Sequence, residues 1–187
     1  MKLNMGCGHN KMAGYVNVDL APACAPDLVC DLEVFPWPWA DSSIEEVVFN
    51  HSLEHLGESS RTFLAMIKEL YRICRHDARI IINVPHPRHD SFLNDPTHVR
   101  PITPDVLSLF DRELNDLWMR EKVANSPLAH YLNVDFHLIK LETVLTEPYA
   151  TQYQDKQLSD DDVAAMIRKL NNIASEYRIV MAARKAR

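Results

Sequence analysis

The chain has 187 residues, 47% of them apolar, enough for one ordinary core and too few for two generous domains. Its net charge of −6 excludes a broad phosphate-binding footprint, so no nucleic-acid partner is expected. Charged residues make up an ordinary 25%, and no low-complexity tract or internal repeat is visible, which excludes a disordered chain and a solenoid. The cysteines at 7, 24, 30 and 74 form no CxxC pair, so neither a zinc ribbon nor a thioredoxin-type centre is expected. No leader pattern opens the chain and no apolar run approaches about 18 residues, so the expectation is a cytoplasmic protein with reduced thiols and no membrane partner. The tail Arg184-Lys185-Ala186-Arg187 reads as a solvated charge cluster.

In chain order, residues 1–5 read as a short strand that runs into a Gly-Cys-Gly turn. Residues 15–19 alternate and end on Asp19, and residues 27–31 repeat that form and end on Asp31. The prolines of Phe35-Pro36-Trp37-Pro38-Trp39 exclude regular helix or central strand; its aromatics could wall a pocket, although burial in a core is their commoner fate. Residues 44–50 form a buried strand. From 59 to 74, Phe63, Leu64, Ile67, Leu70, Tyr71 and Cys74 follow a 3.6-residue period and predict an amphipathic helix.

Residues 79–84 are the clearest strand, and Pro85 stops it. Residues 85–101, with prolines at 85, 87, 96 and 101, read as a loop. Thr103 then caps, with Pro104 at the first helical position, a helix through Phe110 or further. Residues 136–145 are a strand candidate, Ser159 caps a helix running to about Ala174, and residues 178–183 are the last strand. Strands alternating with helices predict an α/β fold around a mostly parallel sheet.

Ligands of such sheets bind beyond the carboxyl ends of the strands. Gly6-Cys7-Gly8, Asp19, Asp31, Asn50-His51 and Pro85-His86 follow the first five strands in turn. The two glycines permit positive φ and a close backbone approach to a ligand. A dinucleotide fingerprint would place a third glycine where Lys11 stands. Asp19 also comes only 13 residues after Gly6, too soon for a full helix between the first two strands. A nicotinamide-dinucleotide domain is therefore disfavoured. Asp19 can accept both hydroxyls of a ribose or cap a turn; Asp31 can accept from an adenine amine or face solvent.

Together, Leu3-Asn4-Met5-Gly6-Cys7-Gly8, Gly14-Tyr15-Val16-Asn17-Val18-Asp19, Asp31-Leu32-Glu33, Pro36-Trp37-Pro38-Trp39-Ala40-Asp41 and Asn50-His51-Ser52-Leu53-Glu54-His55-Leu56 are specific in their order. With the helix and strand over 63–84, this set resembles the class I S-adenosylmethionine-dependent methyltransferases. It is most similar to a small bacterial group with a Leu-Asn-x-Gly-Cys-Gly opening and a shortened first crossover. Asn94-Asp95-Pro96-Thr97-His98-Val99-Arg100-Pro101-Ile102-Thr103-Pro104 also resembles a segment of that group.

The resemblance implies a Rossmann-like sheet with an antiparallel last strand and helices on both faces. It implies one domain over 1–187, with 85–135 as a substrate-side loop and helical insertion. S-adenosylmethionine is the implied cofactor: Met5, Gly6, Cys7 and Gly8 would line its methionine and ribose part, and Asp19 would hold the ribose with Leu20 beside it. Asp31 and Leu32 would contact the adenine, and Asn50 and His51 would lie near the sulfonium. The implied activity is methyl transfer by direct displacement to a small molecule or saccharide precursor, and a homodimer is compatible with it. A non-catalytic interaction module on the same fold is the alternative.

His51-Ser52-Leu53-Glu54-His55 formally matches H-x-x-E-H, but the zinc hydrolase reading needs that motif inside a helix, and His51 directly follows a strand. His86, His89 and His98 share one loop, where a metal trio, substrate binding or ordinary packing could each account for them. No bound metal is expected. His86 or His98, oriented by Asp95, is the expected proton acceptor, with residues 85–102 as part of a lid.

Overall fold

The computed structural model describes residues 1–185; Ala186 and Arg187, the end of the basic tail, lie outside the described residues. The strands are β1 (Lys2–Met5), β2 (Val16–Asp19), β3 (Leu28–Val29), β4 (Ile44–Asn50), β5 (Cys74–Pro85), β6 (Phe136–Leu145) and β7 (Ala174–Ala183). They form one sheet in the order β3-β2-β1-β4-β5-β7-β6. Pairs from β3 to β5 are parallel, and β7 runs antiparallel to both β5 and β6. The chain leaves β1 toward β2 and β3, then returns to β4 on β1's other side. That reversal opens a crevice beyond the carboxyl ends of β1 and β4.

One face of the sheet carries the core. Leu3, Met5, Val18, Val47, Phe49, Ile80, Ile82, Ile179 and Met181 are all buried there. They share a cluster with Phe63, Met66, Ile67 and Leu70 of helix α1 (Ser60–Ile73), the apolar stripe legible in the sequence. Ser59 caps that helix by accepting from the Thr62 amide. Trp37 and Trp39 are buried in the same cluster, so the aromatic segment is core. Arg72 of α1 holds it by donating to the carbonyls of Trp37 and Trp39, while Glu69 accepts from the Trp37 amide.

The opposite face is less covered along β5 and β7. Pairing registers align Asn17, Asn4, Val48, Ile81 and Val180 in one row across the sheet, and Asn50, Asn83 and Arg178 in the next. Along β5 and β7 buried residues alternate with partly exposed ones, as in a sheet open to water on one side. The cause is the pair of short crossovers: β1 to β2 has no helix, and β2 to β3 has one 3₁₀ turn (Pro22–Cys24). Side chains do the tethering that a helix would otherwise do. Buried Asn4 donates to the Asn10 carbonyl and to Asn17 Oδ1, which also accepts from the Met12 amide, while Asn17 Nδ2 donates to Asp27.

Several boundaries differ from the sequence reading. β2 starts at Val16, and β3 shrinks to two residues because Asp27 is spent bonding Asn17. β5 and β7 are longer than expected, since each edge of β7 finds an antiparallel partner. The loop over 85–101 contains a short helix, α2 (Asp90–Leu93), and the helix capped by Thr103 is only α3 (Pro104–Ser108). Two unpredicted helices follow, α4 (Arg112–Glu121) and α5 (Leu128–Leu132). Helix α6 (Tyr149–Gln154) has no counterpart among the predicted elements. Helix α7 (Asp160–Lys169) is capped by Ser159 as expected but stops early, before Asn172 turns at φ +59°. Arg184 and Lys185 are not a solvated tail: Arg184 pairs with Asp111, Glu113 and Asp135, and Lys185 donates to Ser42 and the Arg72 carbonyl.

Candidate cofactor cleft and its histidine rim

β1 ends at Met5, and the chain reverses through Gly6 at φ +67° and Gly8 at φ +50°. Gly6 has no space for a side chain: an added Cβ would stand 2.5 Å from Ser52 Cβ. Ser52 in turn donates to the Met5 carbonyl at 2.7 Å, locking the start of the segment after β4 onto the end of β1. At Gly8 an added Cβ would meet nothing within 4 Å, so the backbone there lies open to the cleft. The Gly8 amide donates to Asp19 Oδ2 at 2.7 Å, and the Ala21 amide donates to Asp19 Oδ1 at 2.9 Å. The carboxylate at the end of β2 is thus fixed against the glycine turn, and each oxygen keeps a lone pair for a further donor. Both readings of Asp19 describe the same atom set: it caps the turn and it faces the cleft.

The cleft holds about 600 Å³, within the range of small-molecule sites. Gly6, Gly8, Asp19, Leu20, Asp31, Leu32 and His51 line it together, as do Cys30, Glu33, Ser52, His55 and Leu56. It carries three carboxylates and no lysine or arginine among its lining residues, an arrangement that favours a cationic ligand. Asp31 accepts from the Glu33 amide, and Glu33 accepts from the Gly57 amide, so the wall after β3 is tied to the segment after β4.

The remaining expected cofactor residues lie elsewhere. Met5 is fully buried, with its side chain in the core. Cys7 and Asn50 line a separate hollow of about 430 Å³ on the bare face of the sheet, together with Asn4 and Asn83. Asn50 Oδ1 there accepts from Asn83 Nδ2 at 3.0 Å.

His86 is buried beneath the Tyr177 ring, 4.8 Å between centroids, and accepts the Arg88 amide on Nδ1. Burial, together with the nearby Arg88 and His89, pushes its pKa down to about 4, so it holds no proton near neutrality and does not line the cleft. The folded value lies below the ordinary 6.5, so its contribution is complete above pH 6.5 and is lost as pH falls toward 4. Over that interval wild-type urea stability is expected to fall by about 3 kcal/mol from this group, and His86→Gln should flatten the fall. An unaltered slope in the variant would count against a buried neutral His86.

His51, at φ +51°, begins a different arrangement, and Leu53–His55 form a 3₁₀ turn. H-x-x-E-H is therefore not on one helix, and the protease geometry is absent. Instead the segment after α2 folds back: Val99 and Arg100 donate amides to the Glu54 carbonyl, and Arg100 bonds the Gly57 carbonyl. His98 comes to 4.5 Å from the His55 ring, centroid to centroid. Glu54 is 1% exposed, and neither carboxylate oxygen has a hydrogen-bond partner among the described residues. Burial pushes its pKa up, against the pull of His55, His51 and His98. Asp95 sits at this rim, accepting from the Thr97 amide and hydroxyl. Of His86, His89 and His98, only His98 is here; His89 caps α2.

A mixed sheet of this order, with an antiparallel β7, is the Rossmann-like fold of S-adenosylmethionine-dependent methyltransferases. Solved structures agree. An S-adenosylmethionine-dependent methyltransferase from Archaeoglobus fulgidus matches 97% of this chain and 85% of its own, with 17% identity and a TM-score of 0.64. One from Methanosarcina mazei matches 99% and 92%, with 12% identity and a TM-score of 0.57. A [4+2]-cyclase, SpnF, matches 99% and 75%, with 14% identity and a TM-score of 0.54. At such identities the likeness is one of fold, and the cyclase shows that this fold does not dictate one reaction. No family model matches the chain, and no curated protein matches it.

Proposed function

We propose that the protein binds S-adenosylmethionine in this cleft and transfers its methyl group to a small-molecule acceptor that reaches the cleft from the histidine rim. The observation that carries this reading is the Gly6–Gly8 turn joined to Asp19 by the 2.7 Å amide bond, in a cleft that is acidic and free of lysine and arginine. Gly8 offers open backbone where a ligand can approach, and Asp19 has the spare lone pairs that a ribose diol needs. Asp31 stands one strand further along for an adenine amine, with Leu20, Leu32 and Leu56 covering apolar surface. The bound cofactor supplies an electrophilic methyl group on sulfur.

The chain's part is alignment and exclusion of water. His51 and His55 stand where the cleft meets the rim, with Asp95 and His98 behind them. His86 has no part in this proposal. An acceptor of modest size and no large negative charge suits the acidic walls, a saccharide precursor among them.

The second reading, a binding module without turnover, is favoured by the missing first helix and the bare sheet face beside it. Incubation with methyl-labelled cofactor and a metabolite extract tests the choice. Label in a small-molecule product, reduced in Asp19→Ala at limiting cofactor, is expected. Tight cofactor binding without transfer to any fraction would favour the module.

A further inference from the structure

Three histidines surround the buried Glu54 carboxylate, and each has its outer ring nitrogen committed. His51 Nε2 lies 2.7 Å from Glu176, whose carboxylate can only accept, so that nitrogen carries the proton. His98 Nδ1 lies 2.9 Å from the Phe92 carbonyl and is a donor for the same reason. His55 Nδ1 lies 2.9 Å from Thr97 Oγ1, whose own proton goes to Asp95, so this nitrogen donates too. In the neutral rings the other nitrogens are bare lone pairs. Two of them face Glu54 Oε1: His51 Nδ1 at 3.7 Å and His98 Nε2 at 4.0 Å. The buried Glu54 carboxylate, without a hydrogen-bond partner among the described residues, these two ring nitrogens, and Asp95 Oδ2 3.9 Å from His98 Nε2 form a cluster of ligand atoms that one cation can satisfy.

We propose that this cluster is a divalent transition-metal site, with Glu54, His55 and His98 as ligands and His51 Nδ1 closing it from the cleft. One ligand atom from each of the first three residues lies within 4.8 Å of the others, a spread that side-chain rotation contracts onto metal–ligand bonds of about 2.1 Å. Imidazole nitrogen with one carboxylate suits Zn²⁺, Fe²⁺, Mn²⁺ or Co²⁺ rather than Ca²⁺ or Mg²⁺. The outer hydrogen bonds to Glu176, Thr97–Asp95 and the Phe92 carbonyl are the orienting contacts that ligating histidines use. Because His51 and His55 also line the cleft, an open position on the metal would face it and could take an oxygen ligand there. The other group of candidate ligands, Asp111, Glu113 and His137, already has a cation: Arg184 pairs with both acids.

The full chain, stripped with a chelator and titrated calorimetrically with Zn²⁺ and with Mn²⁺, should take up one equivalent of at least one of them. Cobalt substitution should give visible d–d absorption. Glu54→Gln and His98→Gln should each weaken uptake about 100-fold, whereas His137→Gln should leave it unchanged. If Glu54→Gln does not fold, His55→Gln and the cobalt spectrum of the wild type serve instead. No uptake, or equal uptake in the rim variants, would overturn the proposal. So would nitrogen NMR showing His98 doubly protonated at pH 7.5 in metal-supplied protein. The inference is independent of the cofactor reading: S-adenosylhomocysteine binding without metal uptake removes only the metal, and uptake without cofactor binding removes only the cofactor.

Discussion

Gly6→Val is expected to abolish cofactor binding and to lower folding stability by about 3 kcal/mol in urea titration. Two independent faults add at this position. The backbone sits at φ +67°, where a β-branched residue is strained, and the new Cβ would fall 2.5 Å from Ser52 Cβ. Relief requires moving Ser52 away, which breaks its 2.7 Å bond to the Met5 carbonyl and separates the ends of β1 and β4. Gly8→Ala makes the contrast. Its φ of +50° costs about 1 kcal/mol, but the added methyl meets no protein atom and points into open space. Affinity should therefore suffer more than stability at Gly8, and both should suffer at Gly6. Equal behaviour of the two variants would contradict the assigned geometry.

Asp19→Ala is expected to reduce affinity for S-adenosylhomocysteine ten- to hundred-fold, the scale of about 1.5–3 kcal/mol for a hydrogen bond to a charged group. Part of that loss is indirect, because the Gly8 and Ala21 amides lose their acceptor and the glycine turn loosens. Asp19→Asn separates the contributions. Its amide oxygen can still accept one of the two backbone donors, so the turn should persist while the bidentate grip on a diol is lost. Calorimetry on the two variants checks this, and wild-type affinity in Asp19→Asn would assign the residue to turn capping alone.

The parts of the fold that could be read from the sequence are those with a strong period. Phe63, Ile67, Leu70 and Ile73 repeat at helical spacing, and residues 79–84 are nearly continuous apolar strand. Helix α4 escaped notice because Arg112–Glu121 holds few apolar residues and buries only Asn115, whose side chain donates to the Leu109 carbonyl and accepts the Ala129 amide. Its cap, Asp111, is visible only as one acid among many.

The absence of a helix after β1 is legible from the 13-residue gap between Gly6 and Asp19. Asn4 and Asn17 carried that signal: polar residues inside strands that would otherwise be buried on both faces mark a face held by hydrogen bonds rather than packing.

Within the site, strand parity decides what could be foreseen. Phe49 points into the core, so Asn50 must point to the bare face, and its row with Asn83 follows from alternation alone. Asp19 and Asp31 line the cleft from strand ends, which the order of motifs gave away. The rim did not follow from local sequence. Glu54 and His98 are 44 positions apart and meet because Val99 and Arg100 both bond the Glu54 carbonyl, a tertiary contact with no periodic signature. His86 misled for a related reason: its position after β5 suggested a strand-end functional group, whereas its ring turns under Tyr177.

The acidic cleft over the glycine turn is the proposed cofactor site. Calorimetric titration of the wild-type protein with S-adenosylhomocysteine tests it most directly. Saturable binding of one equivalent per chain, weakened at least ten-fold by Asp19→Ala and absent in Gly6→Val, is the predicted result. No heat and no thermal shift with a folded wild-type protein, or binding indifferent to Asp19, would contradict it.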